Sequence, residues 1–136
     1  MTPAELANLH AAVFTVPRPY SEQEFSDFLS DANCLHCWLE QDGFALGRLI
    51  GDEAELLTIA VAPDLQGRGI GRVILGDFEA TASLRGARCI YLEVAENNAA
   101  AVALYQSAGY GVVGRRVNYY RSKNGAIDAL TMARDL

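Results

Sequence analysis

No run in this sequence is long and apolar enough to make a membrane-spanning helix. Its first residues, Met1-Thr2-Pro3-Ala4-Glu5, lack the basic-then-apolar order of a secretory leader, so the expected location is cytoplasmic. Basic residues are few: 11 Lys and Arg against 17 Asp and Glu leave a net charge of −6. General nucleic-acid binding, which needs a basic surface to neutralise phosphates, is thereby disfavoured. An acidic protein can still steer a basic protein substrate toward itself. Cysteine is scarce as well. Cys34-Leu35-His36-Cys37 has no second ligand pair to complete a metal site, so no metal is expected. The pair opens a strand-like segment, which turns the two thiols to opposite faces and suits reduced, apolar cysteines rather than a redox couple. His36 and His10 carry no visible role. There is no repeat, linker or low-complexity stretch. What is present is globular: 51% hydrophobic and 21% charged residues in a chain of 136, read as a single domain over 1–136.

Periodicity organises the chain. Residues 3–14 read as a helix with Leu6, Leu9 and Val13 on one face, broken by Pro17 and Pro19. Ser21-Glu22-Gln23-Glu24 is a capping box that starts a second helix. Segments 35–40, 44–51 and 54–62 read as strands, and Asp42-Gly43 and Gly51-Asp52 turn between them, which predicts an antiparallel meander. A helix over 69–84 is expected to turn Ile70, Val73, Ile74 and Phe78 inward. Strand 88–94, helix 98–108 and two strands, 111–121 and 126–134, complete a mixed α/β order.

The chemistry concentrates in two places. Gln66-Gly67-Arg68-Gly69-Ile70-Gly71 lies between the third strand and the long helix. Glycines there let backbone N–H groups turn onto phosphate oxygens, and the helix N-terminus adds partial positive charge. Arg68 and Arg72 add full charges. The loop is no P-loop, since no Gly-Lys-Ser/Thr follows, and Arg72 stands where a dinucleotide fingerprint needs its third glycine. A tight strand-to-helix turn without a ligand uses glycine too. The second place is Leu92-Glu93-Val94-Ala95-Glu96-Asn97-Asn98, continuing to Ala101, Leu104-Tyr105 and Gly109-Tyr110. Glu93 sits in an apolar strand and must point to the opposite face from Leu92 and Val94. Asn97 or Asn98 suits a helix N-cap, and Gly109 a helix end.

Together these motifs resemble the GNAT acetyltransferases, which use acetyl-CoA. Arg115-Arg116, Asn118-Tyr119-Tyr120, Asp128-Ala129 and Met132 extend the likeness to the C-terminal hairpin of the RimI-type ribosomal-protein-alanine N-acetyltransferases. The resemblance covers roughly residues 18–136. It implies a central, mostly antiparallel sheet with one splayed parallel strand pair and flanking helices. The pantetheine arm of acetyl-CoA would lie along Ile59, Ala60 and Val61, with Asn98 touching it. The diphosphate would lie on Gly67, Arg68, Gly69, Ile70, Gly71 and Arg72. Glu93 would be the general base, directly or through a water, and Tyr105 the acid that protonates the departing thiolate. The Val61 N–H would polarise the thioester carbonyl. Transfer would be direct, in a ternary complex. The implied acceptor is a protein N-terminal α-amine, on a small-subunit ribosomal protein beginning with alanine; Tyr119 and Tyr120 are candidates to line its groove.

The sequence also departs from the family pattern. It opens in a helix, so the sheet's usual first strand is missing from these residues, leaving it a strand short or with an exposed edge that another chain could pair with. Gly67, Ala95, Asn97, Tyr20 and Ile127 replace residues more usual in the subfamily, mostly on the acceptor side. A small-molecule amine or a lysine side chain is therefore an alternative acceptor, and a non-catalytic acyl-CoA-binding module an alternative class. Retention of Glu93 and Tyr105 argues against the last.

Overall fold

The first two helices begin where side chains satisfy the unpaired amides of a first turn. In the computed structural model, which describes residues 1–136, Thr2 caps α1 (Pro3–Val13) and Ser21 caps α2 (Glu22–Ser30). A glutamate three residues on returns each bond. The meander then forms as read: β1 (Cys34–Leu39), β2 (Gly43–Ile50) and β3 (Glu53–Val61) pair in order, antiparallel. Helix α3 (Ile70–Leu84) crosses to β4 (Cys89–Ala95), which runs parallel to β3. Helix α4 (Ala99–Ser107) leads to β5 (Gly111–Ser122) and β6 (Gly125–Asp135), with β6 inserted beside β4. The sheet order is β1-β2-β3-β4-β6-β5. This is the expected mixed α/β architecture, with one parallel pair in an otherwise antiparallel sheet. The two elements ahead of β1 are both helices, and β1 is an outer edge of the sheet with no strand beyond it. No helix is long and apolar enough to cross a membrane.

Two cores sandwich the sheet. On one face, Ile74, Leu75, Phe78 and Ala82 of α3 pack with Ala54, Leu56, Ile90, Leu92 and Met132. Burying an Ile, Leu or Phe completely contributes about 1.5–3 kcal/mol each. On the other, Leu6 and Phe25 of α1 and α2 pack on Phe44, Leu46 and Ala60. One expectation fails: Val73 is 52% exposed. At about 100° per residue it lies roughly 150° from the centre of the buried arc defined by Ile74, Leu75, Phe78 and Ala82.

Strand β3 carries an extra residue. Leu46 pairs with Thr58 and Gly47 with Leu56, so Leu57 is bulged. Side-chain alternation resets across it. Leu56, Ile59 and Val61 all meet the α3 core, while Thr58 and Ala60 turn to the α1–α2 side. The β3–β4 pairing stops at the same level, with Leu56 opposite Leu92. Beyond that pair the parallel strands splay.

Candidate active site

The splay leaves a fork whose backbone is not spent on the sheet. Ala62 N–H donates to Asp42 O at 2.8 Å. Strand groups alternate, so the N–H groups of Ile59 and Val61 point the other way, into the fork. Ala60 lies between them, its backbone turned to its β2 partner Phe44 and its side chain buried. Of the three residues expected along the pantetheine arm, Ile59 and Val61 therefore offer free backbone groups and Ala60 does not. The Val61 carbonyl accepts from Gln66 Nε2 at 3.1 Å. That bond folds the glycine loop back onto the strand end, a role for Gln66 that the motif alone does not reveal.

The loop meets α3 without a conventional cap. Gly67 and Gly69 adopt φ of 79° and 82°, the left-handed region that favours glycine. Gly69 stands at the N-cap, with no capping side chain and no acidic residue in the first turn. The first-turn amides and the positive helix end are thus left open to an anion. Gln66, Gly67, Gly69, Ile70, Gly71 and Arg72 border the main cleft, whereas Arg68 is exposed and does not. Arg72 Nη1 donates to Ser107 Oγ at 2.8 Å and so ties α3 to α4. Asn98 caps α4, its Oδ1 accepting from Ala101 N–H at 3.2 Å, and also borders the cleft.

Glu93 is the first β4 residue past the last β3–β4 pair. Leu92 and Val94 belong to the α3 core, so Glu93 faces the α1–α2 side. Tyr105 comes from α4, on the other face of the sheet, and is buried among that same core. The fork brings the two together on one cleft of about 1350 Å³. Burial holds the Tyr105 hydroxyl well above the ordinary tyrosine range, so it keeps its proton. Tyr120 is pushed up to about 12 by burial and then by the charge of Glu93.

The hairpin supplies one wall. Arg116 pairs with Ala129 and Tyr120 with Ile127, so residues 117–119 bulge opposite Asp128 alone. Asn118, at φ 54°, donates its backbone N–H to Asp128 Oδ1 at 2.8 Å. Arg115 Nη1 bridges Asp128 Oδ2 at 2.9 Å and Glu96 Oε2 at 2.7 Å. The pinned bulge leaves Arg116, Tyr119 and Tyr120 all bordering the cleft. Arg116 Nε lies 3.1 Å from Glu93 Oε1, and its guanidinium sits 5.1 Å over the Tyr119 ring. Phe14, Val16 and Tyr20 of the α1–α2 loop border the same cleft. The Glu93–Arg116 pair is invisible to sequence spacing, because only the order β4-β6-β5 brings the two near.

The remaining sequence candidates separate. Cys34 belongs to the α1–α2 core, while Cys37 faces α3, its Sγ 3.5 Å from Ile74 O. Burial pushes each thiol up to about 11, away from thiolate reactivity. His36 is exposed and stacks on Trp38. His10, unremarkable in sequence, is 2% exposed and hydrogen-bonded at both ring nitrogens.

Comparison with known proteins fits this geometry. The profile of the Acetyltransferase (GNAT) family matches residues 4–110. The [ribosomal protein bS18]-alanine N-acetyltransferase of Escherichia coli (strain K12) is 40% identical over 119 residues, covering 85% of this chain and 80% of that protein. The N-alpha-acetyltransferase RimI of Mycobacterium tuberculosis is 51% identical over 90 residues, covering 66% of this chain and 54% of that protein. The crystal structure of the Escherichia coli ribosomal-protein-S18-alanine N-acetyltransferase superposes with a TM-score of 0.88 at 32% identity, over 98% of this chain and 86% of that one. Ard1 from Thermoplasma volcanium, at 19% identity and a TM-score of 0.81, shares the fold. The forked sheet, the open glycine loop and these likenesses agree: the chain belongs to the GNAT acetyltransferase family and is an N-acetyltransferase that uses acetyl-CoA.

Proposed function

We propose that the acceptor is the α-amine of a protein N-terminus, on a small-subunit ribosomal protein beginning with alanine, which acts in the cytoplasm, and that Glu93 and Tyr105 carry the transfer. The observation that carries this reading is the single cleft shared by the glycine loop, by Glu93 and Tyr105, and by a wall of Tyr20, Tyr119 and Tyr120. Such a wall suits an extended peptide, whose backbone polar groups and small first side chain need a partly apolar, partly hydroxylic surface. Identity to bS18-alanine N-acetyltransferases over most of the chain supports the same acceptor.

The residues fit acetyl-CoA. Free N–H groups at Ile59 and Val61 suit the amide-rich arm, and the uncapped α3 start with its glycine loop and Arg72 suits the diphosphate, with exposed Arg68 adding positive charge outside the cleft. Asn98 borders the same space. Acetyl-CoA supplies an activated thioester. Glu93 takes the proton that the amine sheds as it bonds to the carbonyl carbon, and Tyr105 gives a proton to the sulfur as its bond to that carbon breaks. The Val61 N–H faces the developing oxyanion. An α-amine has a pKa of about 7.7–8.0, so the base has a modest task. Arg116, paired with Glu93, holds the carboxylate at the floor of the cleft.

The test is acetyl-CoA turnover on free peptides beginning Ala, Ser, Met or Gly, with α-acetylated controls, lysine-containing peptides and polyamines, the added acetyl located by mass spectrometry. Acetyl on the α-amine of Ala-starting peptides supports the reading. Acetyl only on polyamines or lysine side chains replaces it with the other acceptor classes.

A further inference from the structure

His10 is a buried titratable group that the transfer chemistry leaves unused. Tyr20 N–H donates to His10 Nδ1 at 2.8 Å, which fixes Nδ1 as the unprotonated nitrogen. The proton is then on Nε2, which donates to Thr58 Oγ1 at 2.8 Å. The ring is packed by Phe14, Tyr20, Phe25 and Phe44, with centroids 4.7–6.0 Å away. Burial lowers its pKa, opposed by nearby Glu24. The neutral tautomer is thus locked from both sides.

Its two partners are the informative part. Tyr20 is on the acceptor-side wall of the cleft, and Thr58 is the residue after the Leu57 bulge, next to Ile59 at the fork. The α1–α2 loop has no strand to register it against β3. Across α1, the imidazole is the hydrogen-bonded tie between that loop and the strand.

We propose that His10 is a positioning residue for the acceptor half of the site: its neutral imidazole holds the Tyr20 wall at a fixed distance from β3 through Thr58. This rests on the reading of the Tyr20 side as the acceptor cleft. A residue that served only stability would lower the folded fraction, reducing apparent kcat and leaving both KM values alone. A positioning residue raises acceptor KM selectively.

The experiment measures KM for acetyl-CoA and for the acceptor in wild type, His10→Phe, His10→Asn and Thr58→Val. The acceptor is whichever amine of the panel above the wild-type enzyme acetylates, so a wrong acceptor class overturns that reading alone and the comparison still decides on His10. Phe keeps the aromatic packing and loses both bonds; Asn keeps an acceptor for the Tyr20 N–H. The expected result is an acceptor KM raised about tenfold in His10→Phe and less in His10→Asn, with acetyl-CoA KM within about twofold of wild type throughout. Thr58→Val, which retains the side-chain volume and loses only the hydroxyl, covers the case in which His10→Phe fails to fold, and its acceptor KM is expected to rise about threefold. Acceptor KM unchanged in the soluble variants, or both KM values rising together, overturns the proposal.

Discussion

Glu93 has two neighbours that argue opposite things about it. Leu92 and Val94 belong to the α3 core, while the Glu93 side chain pairs with Arg116 in the cleft. The alternation that separates them is readable from sequence, and the resemblance implies a departing thiolate that needs an acid, which is why Glu93 and Tyr105 could be named from residues and resemblance. If Glu93 is the base, Glu93→Gln lowers kcat about 100-fold at neutral pH, with partial recovery at pH 9, where the amine is already neutral. Unchanged turnover across that range removes Glu93 from the mechanism. Tyr105→Phe is expected to lower kcat at least about tenfold while acetyl-CoA affinity stays near wild type; equal losses in both would assign Tyr105 to packing. His10 was legible only in part. It lies four residues after Leu6, hence on the same buried helix face, but its partners Thr58 and Tyr20 come from elements that spacing cannot join. Its pKa falls from the ordinary 6.5 to about 4 in the folded protein. The unfolded chain therefore binds more protons between these values, and the His10 contribution to stability, present above pH 6.5, is lost as pH falls through 4. It amounts to at most about 3 kcal/mol. Urea unfolding at pH 7 and pH 4.5 is expected to show a larger loss in wild type than in His10→Phe.

At the scale of elements, turn chemistry and apolar period located every strand and both ends of α1, α3 and α4 to within a residue or two, and the start of α2, because Ser21, Asp42-Gly43, Asn98 and Gly109 each mark a boundary by a local mechanism; the short 3-10 turn Pro63–Leu65 was not read. The bulges were not read. Leu56-Leu57 breaks the polar–apolar alternation of β3, which is a sequence sign of an inserted residue, but its consequence depends on β2 and α3. Opposite the bulge, Gly47 packs so closely that an added Cβ would stand 2.3 Å from Glu55 O and 2.5 Å from the Phe78 ring. One of these is backbone and the other a core aromatic, so neither yields freely. Gly47→Ala is expected to cost about 3 kcal/mol or more and to lower Tm by roughly 10 °C or more. A thermal shift below about 3 °C would mean that the β2–β3 register relaxes there and that the bulge does not fix the fork.

The whole sheet explains how a wedge can stay open inside it. Past Leu56 and Leu92 the two parallel strands lose each other, yet β3 remains paired with β2 to Val61 and β4 with β6 to Ala95. Each tine of the fork is held from its outer side, so the gap needs no ligand to keep its shape, and binding there orders little of the chain. The cost is a pair of backbone donors, Ile59 and Val61, with no strand partner. Acetyl-CoA is therefore expected to slow hydrogen exchange at the amides of Ile59 and Val61 and in the first turn of α3, and to leave the exposed β2–β3 turn at Gly51-Asp52, at the other end of β3 and outside the cleft, unchanged. At a hundred times its Kd it also adds about 2.7 kcal/mol to unfolding stability by mass action. Because that global gain slows exchange only where amides open by complete unfolding, the exposed Gly51-Asp52 turn, whose amides can open locally, serves as the internal reference. Protection spread evenly over the sheet, with Ile59 and Val61 no different from the Gly51-Asp52 turn, would show that acetyl-CoA is held elsewhere and that the fork is merely a gap between strands.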